Sequence, residues 1–226
     1  MKHIALLTSL LWSASLHAVE KPYDYVFFEN SLMKGDYFYS QAKYTSPSWI
    51  KNARHHLPVA GSVAFTPGNS LELTYVSAPG GDWYSEIQYC PVRGNDFFRE
   101  PSTLSMQVRL RESMNAAALP NIAIRYADST YTQYLNLRNY LKDTRPGVWH
   151  SVSIPLEDFG LNAVNDTNIK KLAAVALRPG TADGNEYTIY LDDIELLPAS
   201  LPSVSALNAP VLQEAKAYER HIDILS

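Results

Sequence analysis

Residues 147–198 hold three short alternating segments in succession, GVWHSVSIPLEDFG, KLAAVALRPG and YTIYLDDIELLP, each closed by turn residues. Side chains alternate across a strand with a period of two, so these segments read as successive strands of an antiparallel sandwich. Further candidates lie at 25–29, 70–77, 83–89, 104–110, 121–127 and 131–138, with the closing three at 149–156, 171–178 and 187–196. All are rich in β-branched or aromatic residues and bounded by Gly, Pro, Asn, Asp or Ser. With no convincing amphipathic helix, the sequence predicts an all-β fold, a jelly-roll antiparallel β-sandwich. The less regular stretch 30–67 is expected to wrap the sandwich edge with short strands, and loops of that length are often functional.

A length of 226 residues with 46% apolar and 12% aromatic content suits one large domain. The net charge of −4, from 19 basic and 23 acidic residues, is spread without runs. That leaves no electrostatic footprint for nucleic acid or an anionic membrane. Lys2, an apolar stretch from Ile4 to Trp12 and the small-residue site Leu16-His17-Ala18 predict a signal peptide over 1–18, with a periplasmic or extracellular product. The stretch is shorter than the roughly 20 apolar residues a spanning helix needs. Cys90 is the single cysteine, so no internal disulfide forms. The sandwich is assigned to 22–198, and 199–210, rich in Pro and Ser, reads as a linker.

The block W-x-x-V-x-I-P-L-x-D-F, from Trp149 to Phe159, and Y-L-D-D-I, from Tyr190 to Ile194, resemble the β-sandwich carbohydrate-binding modules and galactose-binding-like domains of polysaccharide-degrading enzymes. The resemblance runs over 25–197. Residues 211–226 look like the opening strand of a fibronectin type III domain. Together they resemble the N-terminal portion of exported glucoamylase-like β-glucan hydrolases, with fibronectin-type and catalytic domains downstream. The resemblance implies a monomeric, non-catalytic accessory module that binds or positions a polysaccharide or oligosaccharide. It also implies a structural calcium between the first and last strands, held by Glu29, Asp192 and Asp36, with Asn30 and Asp193 as further oxygens. Hard oxygen donors suit Ca²⁺. Alternation puts Asp192 and Asp193 on opposite faces, and Asp192 is the one expected to face the first strand.

Motifs for other chemistries are missing: there is no G-x-S-x-G elbow, H-E-x-x-H helix, C-x-x-C pair or glycine-rich phosphate loop. A hydrolase would need two carboxyls flanking the bond, and Glu72 with Glu86 are the nearest sequence candidates. A jelly-roll lyase would draw on Tyr134, Gln133 and Arg138. His55, His56 and His150 have no recognisable acid or nucleophile partner.

Alternation also selects a ligand face. With Leu71, Leu73, Tyr75, Ile87, Ile122, Ile124, Leu135, Val175 and Leu177 turned inward, the opposite positions carry Tyr84, Glu86, Gln88, Arg125, Tyr134, Asn136, Arg138 and Arg178. Aromatic platforms edged by hydrogen-bonding side chains match a sugar ring, with its apolar C–H face and hydroxyl rim. Trp49, in the long irregular stretch, is a second stacking candidate, while Trp149 is expected in the core and Trp83 is divided between core and loop tip. The same outward row also fits a cross-strand ladder in a spacer domain without a ligand.

Overall fold

The computed structural model describes residues 26–89, 101–161 and 171–198. The expected signal peptide, Cys90, the linker and the fibronectin-like segment lie outside the described residues. Among the described residues the chain forms β1 (Val26–Phe28), β2 (Asp36–Tyr37), β3 (Ser40–Thr45), β4 (Trp49–Ile50), β5 (Leu57–Ala60), β6 (Ser70–Val76) and β7 (Asp82–Gln88). It continues with β8 (Pro101–Leu110), β9 (Asn121–Tyr126), β10 (Leu135–Asn136), β11 (Trp149–Pro155), β12 (Leu172–Arg178) and β13 (Glu186–Pro198).

Two antiparallel sheets pack face to face, the jelly-roll sandwich that the alternation predicts. The larger runs β11-β8-β13-β6-β5-β2, with β1 beside β13 and β4 beside β6; the smaller runs β10-β9-β12-β7-β3. Successive strands β6 and β7 lie in different sheets, so the intervening turn at 77–81 crosses the sandwich. The core is built from the inward residues of both sheets: Leu71, Leu73 and Tyr75 of β6, Met106 and Val108 of β8, Ile87 of β7, Ile124 of β9 and Leu177 of β12 are all buried. Trp83 is core, packed on Tyr75 at 4.8 Å between ring centroids, with its indole N–H donating to Ser77 Oγ at 2.9 Å. Truncating it to Ala would cost about 3–5 kcal/mol, the usual range for a buried aromatic.

The stretch 30–67 does wrap the edge with short strands, β2 to β5. At the other end of the smaller sheet, β12 leaves through Pro179 and Gly180 hard against 117–119. A Cβ on Gly180 would sit 2.2 Å from the Leu119 carbonyl oxygen, and the next residue, Thr181, donates its N–H to Ala117 at 2.8 Å. Only glycine allows that approach.

Candidate functional site

The outer face of the smaller sheet carries a groove of about 460 Å³ lined by Gln41, Lys43, Tyr84, Glu86, Arg125, Ser129, Tyr131 and Arg178. Strand register builds it. Ala176 of β12 stands between Glu86 of β7 and Ala123 of β9, while Ala174 stands between Gln88 and Arg125. These alanines lie on the outward side and are fully covered, so the long side chains around them close over the small residues and themselves line the groove. Gln41 and Lys43 of β3 pair with Glu86 and Tyr84 and form one wall.

Glu86 is the hub. Its side chain is 2% exposed, and its Oε1 lies 2.6 Å from Arg125 Nε. Gln41 Nε2 donates to Oε2 at 2.5 Å, and the Tyr131 hydroxyl donates to Oε1 at 3.2 Å. Burial, reinforced by the Glu86 carboxylate, pushes the Tyr131 phenol above its ordinary pKa, so its proton stays in place at neutral pH. The Tyr84 and Tyr131 hydroxyl oxygens are 3.2 Å apart. Because Tyr131 has one proton and gives it to Glu86, Tyr84 must donate to Tyr131. The result is a polarised chain, Tyr84 to Tyr131 to Glu86, that leaves lone pairs of the Tyr84 oxygen free to accept.

Arg178, opposite Asn121 on β9, places its guanidinium 5.5 Å from the ring centroids of both Tyr84 and Tyr134. Tyr134 stacks in turn on Tyr131, with centroids 6.0 Å apart and planes inclined by 29°. Burial raises the Tyr134 phenol above its ordinary pKa. The wall residues thus combine donors (Gln41, Lys43, Arg125, Arg178) with an acceptor, the Tyr84 oxygen, while the buried Glu86 carboxylate is engaged by its protein partners.

Tyr84, Glu86, Gln88, Arg125 and Arg178 therefore meet on one face, with Tyr134 behind Arg178. Asn136 and Arg138 do not enter the groove. The segment 131–138 is not one strand: Tyr131 makes an isolated bridge to Arg125, the chain bends, and only Leu135–Asn136 pairs with β9. Asn136 caps the following 3₁₀ turn, accepting from Arg138 N–H and donating to Leu119 and Asn121, and Arg138 lies exposed on that turn. Trp49 belongs to the other sheet, beside Val76 of β6. Trp149 is not core: it pairs with Arg109 on the outward side of the larger sheet and meets the half-exposed Phe65 edge-on at 6.0 Å. Gln41, Lys43 and Tyr131 were not singled out in the sequence, although Gln41 and Lys43 flank a buried Ala42 in strand alternation.

Glu72 and Glu86 lie on opposite faces of the sandwich. Glu72 is on the outward side of the larger sheet, opposite Tyr190 and paired with Lys51 at 2.5 Å, so these two carboxyls do not flank one bond. His56 and His150 ring nitrogens lie against backbone carbonyls of Ser40 and Arg145. Asp36 and Asp192, two of the residues expected to hold calcium, have protein partners of their own. Asp36 is buried against Arg54, which donates from Nε at 3.0 Å and Nη2 at 2.7 Å. Asp192 is fully buried and accepts backbone N–H groups of Phe65 at 2.7 Å, Thr66 at 3.2 Å and Asp193 at 3.0 Å. Glu29 follows β1, half-buried, and among the described residues no three His, Cys, Asp or Glu side chains gather as a metal site requires. Burial pushes the Asp192 carboxyl up to about 6, helped by the Asp193 carboxylate and opposed by the amide hydrogen bonds.

A two-sheet jelly roll with a polar, tyrosine-walled groove on its smaller sheet defines a carbohydrate-binding module. Residues 24–197 match the family described as Carbohydrate binding domain 30, and the chain belongs to that family. The chain is 98% identical over 224 residues to an exo-β-1,2-glucooligosaccharide sophorohydrolase (non-reducing end) of Parabacteroides distasonis, covering 99% of this chain and 31% of the relative. It thus spans about a third of that relative's length. A crystal structure of a β-1,2-glucanase from the same organism superposes with a TM-score of 0.78 at 99% identity, over 81% of this chain and 26% of that one. A family 30 carbohydrate-binding module of a cellulosomal cellulase of Clostridium thermocellum superposes with a TM-score of 0.58 at 18% identity, over 79% and 99% of the two chains, and so shares the fold.

Proposed function

We propose that this domain is a non-catalytic module that holds a β-1,2-linked glucan or glucooligosaccharide for a glycoside hydrolase carried on the same chain. The observation that carries the reading is the lattice in which Tyr84, Tyr131 and Glu86 are joined by hydrogen bonds and Glu86 is ion-paired with Arg125, lining one groove on the smaller sheet. It fixes donors and acceptors before the ligand arrives, which lowers the ordering cost of binding. The β-1,2-glucan specificity named for the nearly identical relative supports the choice of glycan, and its greater length supports the attached hydrolase. The leader-like residues 1–18 support export to where such a glucan is met. Tethering then raises the effective concentration of substrate at the catalytic domain, so weak binding suffices.

Isothermal titration of the 226-residue chain with a linear β-1,2-glucooligosaccharide tests this. Saturable heat that is lost in Tyr84→Ala, a half-buried wall residue, is the expected result. No heat at millimolar ligand would refute glycan binding.

A further inference from the structure

The tyrosine rings of the groove are not open platforms, and Arg178 is the reason. Arg178 stands outward on β12, and its guanidinium carbon sits 5.5 Å from the Tyr84 and Tyr134 ring centroids alike. Tyr134 is also engaged by Tyr131, 6.0 Å away and nearly parallel. The other anchor of Arg178 is weak: its Nη1 lies 3.8 Å from Asp82 Oδ2, and both side chains are about half exposed to solvent, 43% and 54%. Its Nε is buried with no protein acceptor. Cation–π attraction to two rings, together with the approach to the Tyr134 hydroxyl and packing, therefore decides where the guanidinium rests.

Glucan geometry makes this placement selective. A β-1,4 linkage leaves each ring from opposite carbons, so the chain runs straight as a flat ribbon and presents C–H faces to free aromatic rings. A β-1,2 linkage joins neighbouring carbons, so the chain turns at every residue and its ring faces never line up. It presents hydroxyl edges instead. A guanidinium seated over the two tyrosines takes away what the ribbon needs and supplies the planar donors that a turned chain uses.

We infer that Arg178 is the specificity-determining residue of the groove, closing the Tyr84 and Tyr134 faces to flat β-1,4-glucan while donating to the hydroxyls of a β-1,2-linked chain. This rests on the reading that the groove binds a β-glucan. Tyr84, Tyr134 and Arg178 come from three segments, and register brings them together: Tyr84 is on β7, Arg178 on the neighbouring β12, and Tyr134 immediately precedes β10 at the edge of the same sheet.

The test is isothermal titration of the 226-residue chain, wild type, Arg178→Ala and Arg178→Lys, against a β-1,2-linked glucopentaose and cellopentaose. Near-ultraviolet circular dichroism confirms the fold of each variant. Wild type is expected to prefer the β-1,2-linked ligand by at least tenfold. Arg178→Ala is expected to lose about tenfold on that ligand and to gain several-fold on cellopentaose, because both rings are uncovered. Arg178→Lys keeps the charge but not the planar fork and is expected to recover less than half of the lost β-1,2 binding energy. A wild type that prefers cellopentaose, or an Arg178→Ala variant with an unchanged preference, overturns the inference while leaving glycan binding intact. Wild type that binds neither sugar refutes the underlying function, and the inference with it.

Discussion

Removing the Glu86 carboxylate separates the structural role of the groove lattice from its binding role. In Glu86→Ala the Arg125 guanidinium, only 16% exposed, loses the oxygen 2.6 Å from its Nε and keeps its Nη1 bond to the Tyr126 carbonyl at 3.0 Å. Gln41 and Tyr131 lose their acceptor at the same time. Breaking a buried pair costs about 3–5 kcal/mol, and the surviving carbonyl bond and rim position of Arg125 bring the expected cost to about 2–3 kcal/mol. For a domain of this size each kcal/mol lowers Tm by about 2–4 °C, so Glu86→Ala should melt about 4–12 °C lower. Glu86→Gln retains one acceptor and the side-chain shape, and Gln41 can turn its amide to meet the new donor, so its loss should stay near 1 kcal/mol. The double variant Glu86→Ala/Arg125→Ala should lose less than the sum of the singles, because the second change removes a charge already stranded. Differential scanning calorimetry of wild type, Glu86→Ala, Glu86→Gln, Arg125→Ala and the double variant reads all of this. A Glu86→Ala melt within 1 °C of wild type, or strict additivity in the double variant, would refute the lattice as described.

Three further outcomes follow from other parts of the fold. Because the Asp192 carboxyl is pushed up to about 6, the folded domain holds that proton more tightly than the unfolded chain does. Its contribution is full below about pH 4 and is lost as pH rises through 6, at most about 3 kcal/mol, so the Tm difference between wild type and Asp192→Asn should shift in favour of wild type on acidification from pH 7.5 to 4.5; a difference independent of pH would contradict it. Chelator should leave Tm unchanged, since Asp192 is ringed by amides and Asp36 is paired with Arg54; a fall of several degrees would return calcium to the junction of the first and last strands. Gly180→Ala should cost about 2 kcal/mol or more through its collision with the Leu119 carbonyl, and a neutral melt would show that the 117–119 turn yields freely.

The sandwich was legible because burial on one face imposes alternation, and β6, β7, β9, β12 and β13 carry it clearly. The same alternation found the outward row Tyr84, Glu86, Gln88, Arg125 and Arg178. It failed where local polar chemistry broke a strand. Asn136 satisfies the backbone of a 3₁₀ turn, which ends β10 after two residues and brings Tyr131 rather than Asn136 to the groove. Trp149 misled for a related reason: its strand is an edge whose frame is set by pairing to β8, and that register turns the indole outward beside Arg109. Gln41 and Lys43 stayed hidden because β3 is a six-residue strand within a long irregular segment. The partners of Asp192 at Phe65 and Thr66 lie 127 and 126 residues away in sequence, a contact that no local pattern encodes.

The central claim is that glycan binds in the groove on the outer face of the smaller sheet. Two-dimensional ¹H–¹⁵N spectra of the domain, titrated with a linear β-1,2-glucooligosaccharide, test it most directly. Shifts concentrated at Gln41, Tyr84, Arg125, Ala174, Ala176 and Arg178 are predicted. Shifts gathered instead at Trp149, Arg109 and Tyr190 on the larger sheet, or an unchanged spectrum, would contradict it.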